Sequence, residues 1–167
     1  MNKVARVLVI YYSRTGNTEA MAKAVVKGAE REGVAVDLKR VDYATVYDVM
    51  AADAFAFGSP CHYGYMAGAL KEFFDRMLEP EVLKKIHMKP AAAFASNGEK
   101  DGGKEALLSI KRILYNYFVL TPIGDRTGVV CKGAPDKAKL EECESLGVIL
   151  AKAAVLTEGN QKGTESQ

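Results

Sequence analysis

The sequence predicts an α/β protein in which helices cover both faces of one doubly wound, five-stranded parallel sheet. The first observation is the apolar run at residues 4–11, which is interrupted only by Arg6 and is typical of a parallel strand buried on both faces. The second is that four more strand-like segments alternate with helical patterns. Because crossover connections are right-handed, this alternation predicts a parallel sheet with helices on both faces, and we expect the strand order 2-1-3-4-5.

The first half of the chain supplies three of these strands. After residues 13–18, apolar residues recur at helical spacing from Ala20 to Ala29, and Gly33 marks the end of that helix. Residues 34–38 alternate between apolar and polar, which predicts a strand at the sheet edge. Residues 42–50 are too few for a full covering helix, and residues 54–58 form the third strand.

The second half continues the alternation. Residues 59–65 are expected to be a loop, and the apolar stripe from Ala69 to Leu78 predicts a helix. Pro90 opens a fourth strand at residues 91–95, and a polar loop at residues 96–103 leads to a helix through Tyr117. The fifth strand is split into residues 118–120 and 129–131, and Pro135 starts the last helix.

Composition sets the class of protein. The length of 167 residues suits one domain, which we place at residues 1–157 with a polar tail at 158–167. The 23 basic and 21 acidic residues are mixed along the chain, so there is no basic block of the kind that nucleic acid requires. No apolar run approaches the roughly 20 residues of a membrane span, and no signal peptide precedes the first strand. We therefore expect a cytoplasmic protein.

Cysteine and histidine are too sparse for a metal site or a disulfide framework. The three cysteines, Cys61, Cys131 and Cys143, form no Cys-x-x-Cys pair, and only His62 and His87 could join them. No metal ligand and no catalytic side chain are predicted.

The most informative segment is the loop after the first strand. It carries three hydroxyls, an amide and a glycine, in the order Ser13, Arg14, Thr15, Gly16, Asn17, Thr18. The N–H groups at the start of the next helix add donors for an anion, so the loop suits a phosphate. It lacks the lysine of the nucleoside-triphosphatase loop, and no Gly-x-Gly-x-x-Gly fingerprint occurs in the chain. A purely structural interpretation, with Thr18 as an N-cap and Gly16 as a turn residue, leaves the other donors unexplained.

Three loops should meet at one edge of the sheet. In this topology ligands bind beyond the carboxyl ends of the strands, between strands 1 and 3, where the strand order reverses. The second loop supplies Tyr63 and Tyr65 as aromatic surfaces and Gly64 as a point of close backbone approach. The third loop offers Ser96, Asn97 and backbone N–H groups to a polar ring edge.

These segments resemble the flavodoxin family over nearly the whole chain. The first loop, with its Thr-Gly-Asn-Thr sequence at residues 15–18, is similar to the FMN-phosphate loop of electron-carrier flavodoxins. Residues 58–76 and the Gly102-Gly103-x-Glu105 segment are similar to the flavodoxin-like NAD(P)H:quinone oxidoreductases.

The resemblance implies a flavodoxin-like fold with FMN as the cofactor. It places backbone near Tyr63 and Gly64 beside the flavin N5, and residues 96–98 at the pyrimidine edge. Two roles stay open: His62 is either a solvated loop residue or stands over the ring, and Cys61 is either a packing residue or a redox-sensitive thiol. The predicted cofactor-binding residues are Ser13, Arg14, Thr15, Gly16, Asn17, Thr18, Pro60, Cys61, His62, Tyr63, Gly64, Ser96, Asn97, Gly98 and Gly103.

Two functions fit the resemblance. The first is a carrier that transfers electrons between protein partners, favoured by the first loop and the short chain. The alternative is an NAD(P)H:quinone oxidoreductase, or an FMN-dependent NAD(P)H reductase, acting on NAD(P)H and quinone. The second and third loops favour this alternative, as does a net charge of +2, since carrier flavodoxins are typically acidic.

Overall fold

The computed structural model describes residues 3–98, 100–123 and 128–164, with side chains as far as residue 157. Short 3-10 and π-helical turns occupy Val41–Tyr43 and Ile113–Tyr117. The strands and helices follow in the order β1 (Arg6–Tyr11), α1 (Asn17–Glu30), β2 (Ala35–Arg40), α2 (Val46–Ala51), β3 (Ala54–His62), β4 (Tyr65–Met66), α3 (Gly68–Arg76), α4 (Pro80–Ile86), β5 (Pro90–Asn97), α5 (Gly103–Arg112), β6 (Thr121–Pro122), β7 (Val129–Lys132) and α6 (Lys137–Thr164).

The parallel sheet has the order β2-β1-β3-β5, and its last position is shared by two short strands. β6 pairs with β5 at Pro90 and Ala91, and β7 pairs with it from Phe94 to Asn97. The predicted order 2-1-3-4-5, with a split fifth strand, is therefore confirmed.

The first half of that split strand lies later than the sequence predicts. Phe118 and Leu120 were expected in a strand, but their N–H groups donate to the Ile113 and Leu114 carbonyls, both at 2.9 Å. These bonds prolong the end of the helical segment, and both side chains are buried in the core from that position. The strand itself begins at Thr121.

Two helical layers enclose the sheet. On β1, Leu8 and Ile10 point into one core and Val7 and Val9 into the other, as expected for a strand buried on both faces. Helices α2 to α5 cover the first face, with the buried side chains Val49, Phe73, Ile86 and Ile110. Helix α4 occupies Pro80–Ile86, between the helix and the strand predicted on either side of it, and the sequence patterns did not predict it.

Helices α1 and α6 cover the other face at unusually close approach. A Cβ atom at Gly28 would lie 1.9 Å from the Glu144 carbonyl oxygen, and one at Gly147 would lie 2.0 Å from the Val25 carbonyl oxygen. Glycine at both positions is what allows the two backbones to touch. The backbone of α6 runs through Thr164, so the segment predicted as a polar tail begins as a continuation of this helix.

Candidate functional site

The loop after β1 is folded around its own polar groups. Ser13 is buried, and its Oγ accepts the Gly16 N–H at 3.1 Å. Gly16 has a left-handed conformation (φ 96°, ψ −10°) that glycine adopts without strain, and its carbonyl accepts the Ala20 N–H at 3.0 Å. Helix α1 therefore starts at Asn17 with a glycine N-cap. Because glycine has no side chain to cap the helix, the first-turn N–H groups stay available to an external anion.

Thr18 is not the helix cap that the structural interpretation required. It lies in the first turn of α1, is 1% exposed, and its hydroxyl lies 2.7 Å from the Ser96 hydroxyl at the end of β5. Thr15 is exposed and Asn17 is half-buried. The first and third predicted loops are thus joined at their bases.

The predicted loop at residues 59–65 is mostly strand. β3 continues to His62 and turns back on itself, with Cys61 opposite Met66 and His62 opposite Tyr65. The two turn residues, Tyr63 and Gly64, both have positive φ, at 56° and 73°. That combination closes a two-residue hairpin of the primed type, whose twist matches the strands. The expectation of an irregular loop was wrong because the antiparallel pairing satisfies the backbone here.

The hairpin sends its two tyrosines to different places. Tyr63 is fully exposed at the tip, whereas Tyr65 lines a separate, mostly apolar cavity of about 590 Å³ that is formed by residues of α3 and α5. Tyr65 was expected on the same surface as Tyr63, but the two residues line different cavities, because Tyr63 lies in the turn with positive φ whereas Tyr65 lies in the returning strand β4.

The loop after β5 is organised by Asn97. Its side chain is buried, and its Nδ2 donates to the Gly98 carbonyl at 3.1 Å and the Lys100 carbonyl at 3.0 Å. Its backbone carbonyl accepts the Gly133 N–H at 2.8 Å. A Cβ at Gly103 would lie 2.3 Å from Asn97 Oδ1, so Gly103 permits the close packing that holds this amide.

The hairpin and the loop after β5 touch each other. A Cβ atom at Gly102 would lie 2.8 Å from Cys61 Sγ and 3.6 Å from the Gly64 Cα. Cys61 is partly exposed and free, and its sulfur packs against this glycine. The packing role for Cys61 is therefore visible in the contacts.

The three loops converge on one open cavity of about 570 Å³ at the carboxyl edge of the sheet. This volume lies within the roughly 300 to 1,000 Å³ usual for small-molecule sites. Two residues that the sequence interpretation left out, Lys100 and Asp101, line it with seven predicted ones: Arg14, Cys61, His62, Tyr63, Gly64, Asn97 and Gly98.

The remaining predicted residues lie around this cavity. Pro60 pairs with Ser96 across β3 and β5, and Gly103 lines a smaller cavity of about 430 Å³ together with Asn97. The first loop contributes only Arg14 to the lining of the larger cavity. Its other predicted residues, Ser13, Thr15, Gly16, Asn17 and Thr18, form the loop and helix start described above.

Next to the first loop the structure also places Arg40 and Tyr12, neither of which is among the predicted cofactor-binding residues. Arg40 Nη1 donates to the Ser13 carbonyl at 2.6 Å, and its guanidinium lies 5.0 Å from the centre of the Tyr12 ring. The parallel register pairs Arg40 with Tyr11. Extending the carboxyl-edge argument to the second strand could therefore have found it.

The pKa values of two side chains near the first loop are raised by their surroundings. The hydrogen bond to Asp42 raises the pKa of Arg40, and the nearby charge of Asp42 adds to the rise. Burial raises the pKa of the Tyr11 phenol, with a further contribution from Glu19. Arg40 therefore stays a full positive charge beside the loop, and Tyr11 stays neutral.

Two negative findings concern the described residues. Within them, no cluster of three or more histidine, cysteine, aspartate or glutamate side chains is placed to hold a metal ion. None of the helices in the described part of the chain combines the length and the apolar character needed to cross a bilayer.

Comparison with known proteins shows which family the chain belongs to. The family model described as Flavodoxin matches residues 9–147. The chain belongs to the flavodoxin family. Members of this family bind FMN.

The flavodoxin relatives include both kinds of protein suggested by the sequence. The chain is 39% identical to a flavodoxin from Aquifex aeolicus over 172 aligned positions, which cover 95% of this chain and 92% of that protein. It is 30% identical to an NAD(P)H dehydrogenase (quinone) from Archaeoglobus fulgidus over 187 positions, covering 90% and 98% of the two chains. A solved flavodoxin from the domain Archaea superposes with a TM-score of 0.77 at 27% identity, covering 90% of this chain and 99% of that one.

The residues of this flavodoxin-family site fit FMN. A helix start with no side-chain cap and the exposed Thr15 just before it suit a phosphate monoester, which needs hydrogen-bond donors and a positive dipole end. The adjoining cavity offers an exposed aromatic residue, a glycine turn and backbone groups, which suit the faces and edges of a flat polar ring.

Proposed function

We propose that this chain binds FMN at the carboxyl edge of the sheet and transfers electrons between protein partners in the cytoplasm. The observation that carries the proposal is the glycine-capped start of α1 beside the open cavity, in a chain of the flavodoxin family. FMN, when bound, supplies the redox chemistry, since it can exchange electrons singly or in pairs.

Each part of the site has a role in this proposal. Thr15, Asn17 and the first N–H groups of α1 hold the phosphate by charge-assisted hydrogen bonds. Tyr63 and Gly64 bring a turn of backbone to the ring, and the loop at Asn97 and Gly98 holds the polar edge. Two hydrogen bonds hold these donors in place. One joins the Gly16 N–H to Ser13 Oγ, and the other joins the hydroxyls of Thr18 and Ser96.

A carrier is the function that the relationships favour first. The Aquifex aeolicus relative, at 39% identity and nearly full length on both sides, is a flavodoxin. The site also leaves its rim open, which suits direct approach of a protein partner, and Tyr63 is fully exposed there.

The second candidate is an NAD(P)H:quinone oxidoreductase. The specific observation is the Archaeoglobus fulgidus relative of that name, which aligns with 90% of this chain. Arg14 and Lys100 line the cavity, and two cations at the mouth would suit the phosphates of a nicotinamide cofactor.

One experiment separates the two functions. The purified protein is loaded with FMN, and NADH and NADPH oxidation are followed with and without benzoquinone, with free FMN at the same concentration as the control. A carrier oxidises both nicotinamides slowly and accumulates a flavin radical during stepwise reduction. Turnover of about 1 to 1000 per second with quinone, and no radical signal, would replace the carrier proposal by the enzyme.

A further inference from the structure

Arg40 connects the end of β2 to the loop that begins the site. Its Nη1 donates to the Ser13 carbonyl at 2.6 Å, and its Nε donates to Asp42 Oδ2. The guanidinium is thus held at two points, by a backbone carbonyl on one side and a carboxylate on the other. A planar fork of this kind fixes its partners more closely than a single charge could.

The bond to Ser13 orients a peptide group in the loop. In a trans peptide the carbonyl and the following N–H belong to one plane and point in opposite directions. Because Arg40 holds the Ser13 carbonyl toward β2, the N–H of Arg14 must point away from β2. If this peptide turned over, its carbonyl would take the place of that N–H and would repel an anion in the loop.

The same guanidinium reaches the hairpin through an aromatic ring. It lies over the Tyr12 ring at 5.0 Å, and the Tyr12 ring meets the His62 ring edge to face, with centroids 6.0 Å apart and an interplanar angle of 83°. The cation–π contact and the edge-to-face contact are each comparable in strength to one hydrogen bond, and each restrains the orientation of the groups involved. His62 lines the cavity, so a chain of contacts leads from Arg40 through Tyr12 to the hairpin.

We propose that Arg40 is a positioning residue that makes the site selective for a phosphorylated flavin over an unphosphorylated one. This rests on the proposed FMN binding. Arg40 acts by holding the Ser13 peptide in the orientation that accepts an anion and by keeping a positive charge next to the loop.

The test measures phosphate selectivity, since a purely structural residue would not change it. Flavin is removed from the full chain, and the affinities for FMN and for riboflavin are measured by calorimetry or by quenching of flavin fluorescence. We expect Arg40→Ala to lower the ratio of FMN affinity to riboflavin affinity about tenfold, the size of one lost charge-assisted hydrogen bond. Riboflavin affinity should change little.

Arg6→Ala is the matched control. Arg6 lies on β1, next to the strand that carries Arg40, and its guanidinium pairs with Asp37 on β2, with side chains 41% and 40% exposed. It stands at the opposite end of β1 from the site. Both alanine variants should lose similar, small amounts of stability in urea, and only Arg40→Ala should lose selectivity.

Two further variants keep the proposal testable if Arg40→Ala does not fold. Arg40→Lys keeps the charge but loses the fork, and we expect about a threefold loss of selectivity. Asp42→Asn leaves the loop itself unaltered and weakens only the hydrogen bond between Arg40 Nε and Asp42. We expect it to lower the selectivity for FMN less than Arg40→Lys does.

The outcomes separate this inference from the proposed function. If the unaltered chain prefers FMN and Arg40→Ala prefers it equally, the role of Arg40 is overturned and FMN binding stands. An Arg40→Lys variant with unaltered selectivity would show that charge alone suffices, which also overturns positioning. If the unaltered chain binds neither flavin, the proposed function fails together with the inference.

Discussion

The hydroxyl of Thr18 lies 2.7 Å from the hydroxyl of Ser96, and both side chains are almost fully buried. The two residues are 78 positions apart in the chain. This hydrogen bond fastens the first turn of α1 to the last residues of β5, so the loop that suits a phosphate and the loop at Asn97 share one support.

The first prediction concerns this hydroxyl pair. Thr18→Val keeps the shape but leaves the Ser96 hydroxyl buried without its partner, which should cost about 1 to 3 kcal/mol of unfolding free energy. Ser96→Ala should cost a similar amount. The double variant should cost less than the sum of the two, because no unpaired hydroxyl remains. Urea unfolding of the four proteins measures this, and strictly additive losses would show that the two hydroxyls do not interact.

The second prediction concerns the donors of the first loop. Thr15→Ala or Asn17→Ala should weaken FMN binding by about 1.5 to 3 kcal/mol each, because each removes a hydrogen bond to a charged phosphate. Riboflavin, which lacks the phosphate, should bind equally well to the variants and the unaltered chain.

A distant hydroxyl supplies the control for that measurement. Ser145 lies on α6, where its Oγ donates to the Glu141 carbonyl at 2.9 Å, and Ser145→Ala should leave FMN affinity unchanged. Equal affinity of the unaltered chain for FMN and riboflavin in a fluorescence titration would remove the phosphate role from this loop.

Much of the fold could be predicted because burial on both faces leaves a clear pattern. The apolar run of β1, with Val7 and Ile10 fully buried, and the regular alternation with helices determined the sheet order. The hairpin could not be predicted in the same way. Its turn has a tyrosine at φ 56°, where a sequence signal would need Asn or Gly, so nothing marked the two-residue turn.

The site was predictable as a place but less so in its contacts. The carboxyl-edge rule brought the three loops together, yet Asn97 uses its side-chain N–H groups within its own loop, which no sequence pattern shows. Arg40 was missed because its role depends on the register of β2 against β1, a long-range relationship.

The third prediction is a pH dependence of stability from Lys89. This side chain is 4% exposed, its Nζ donates to the Ala52 carbonyl at 2.6 Å, and burial lowers its pKa to about 8. An unfolded lysine has a pKa near 10.4. Between these values the unfolded chain binds more protons than the folded chain, so stability contributed by Lys89 should rise as the pH increases from about 8 to 10.

The comparison with Lys89→Met isolates that contribution. Between pH 7 and pH 10, the unfolding free energy of the unaltered chain, measured in urea, should rise by about 1 to 3 kcal/mol relative to that of Lys89→Met. The comparison is needed because burial raises the pKa of Cys143 to about 12, which acts in the opposite direction above pH 9 in both proteins. Lys84→Met, at an exposed position in α4, is the control and should show no such gain. A constant difference between the unaltered chain and Lys89→Met at all pH values would contradict the prediction.

The last prediction separates the two possible functions of Gly64. A Cβ at this position would meet nothing within 4 Å, so Gly64→Ala costs only the strain of a left-handed residue at φ 73°, about 1 to 2 kcal/mol. Gly33, at φ 71° with equally open space, is a matched control at the end of α1. The two alanine variants should lose the same stability.

If Gly64 lets the hairpin peptide rearrange next to the flavin, Gly64→Ala alone should change the fraction of flavin radical during stepwise reduction, with a smaller effect on FMN affinity. The radical fraction is measured by visible spectroscopy at matched flavin content, and an unchanged fraction in Gly64→Ala would reduce this glycine to a turn residue.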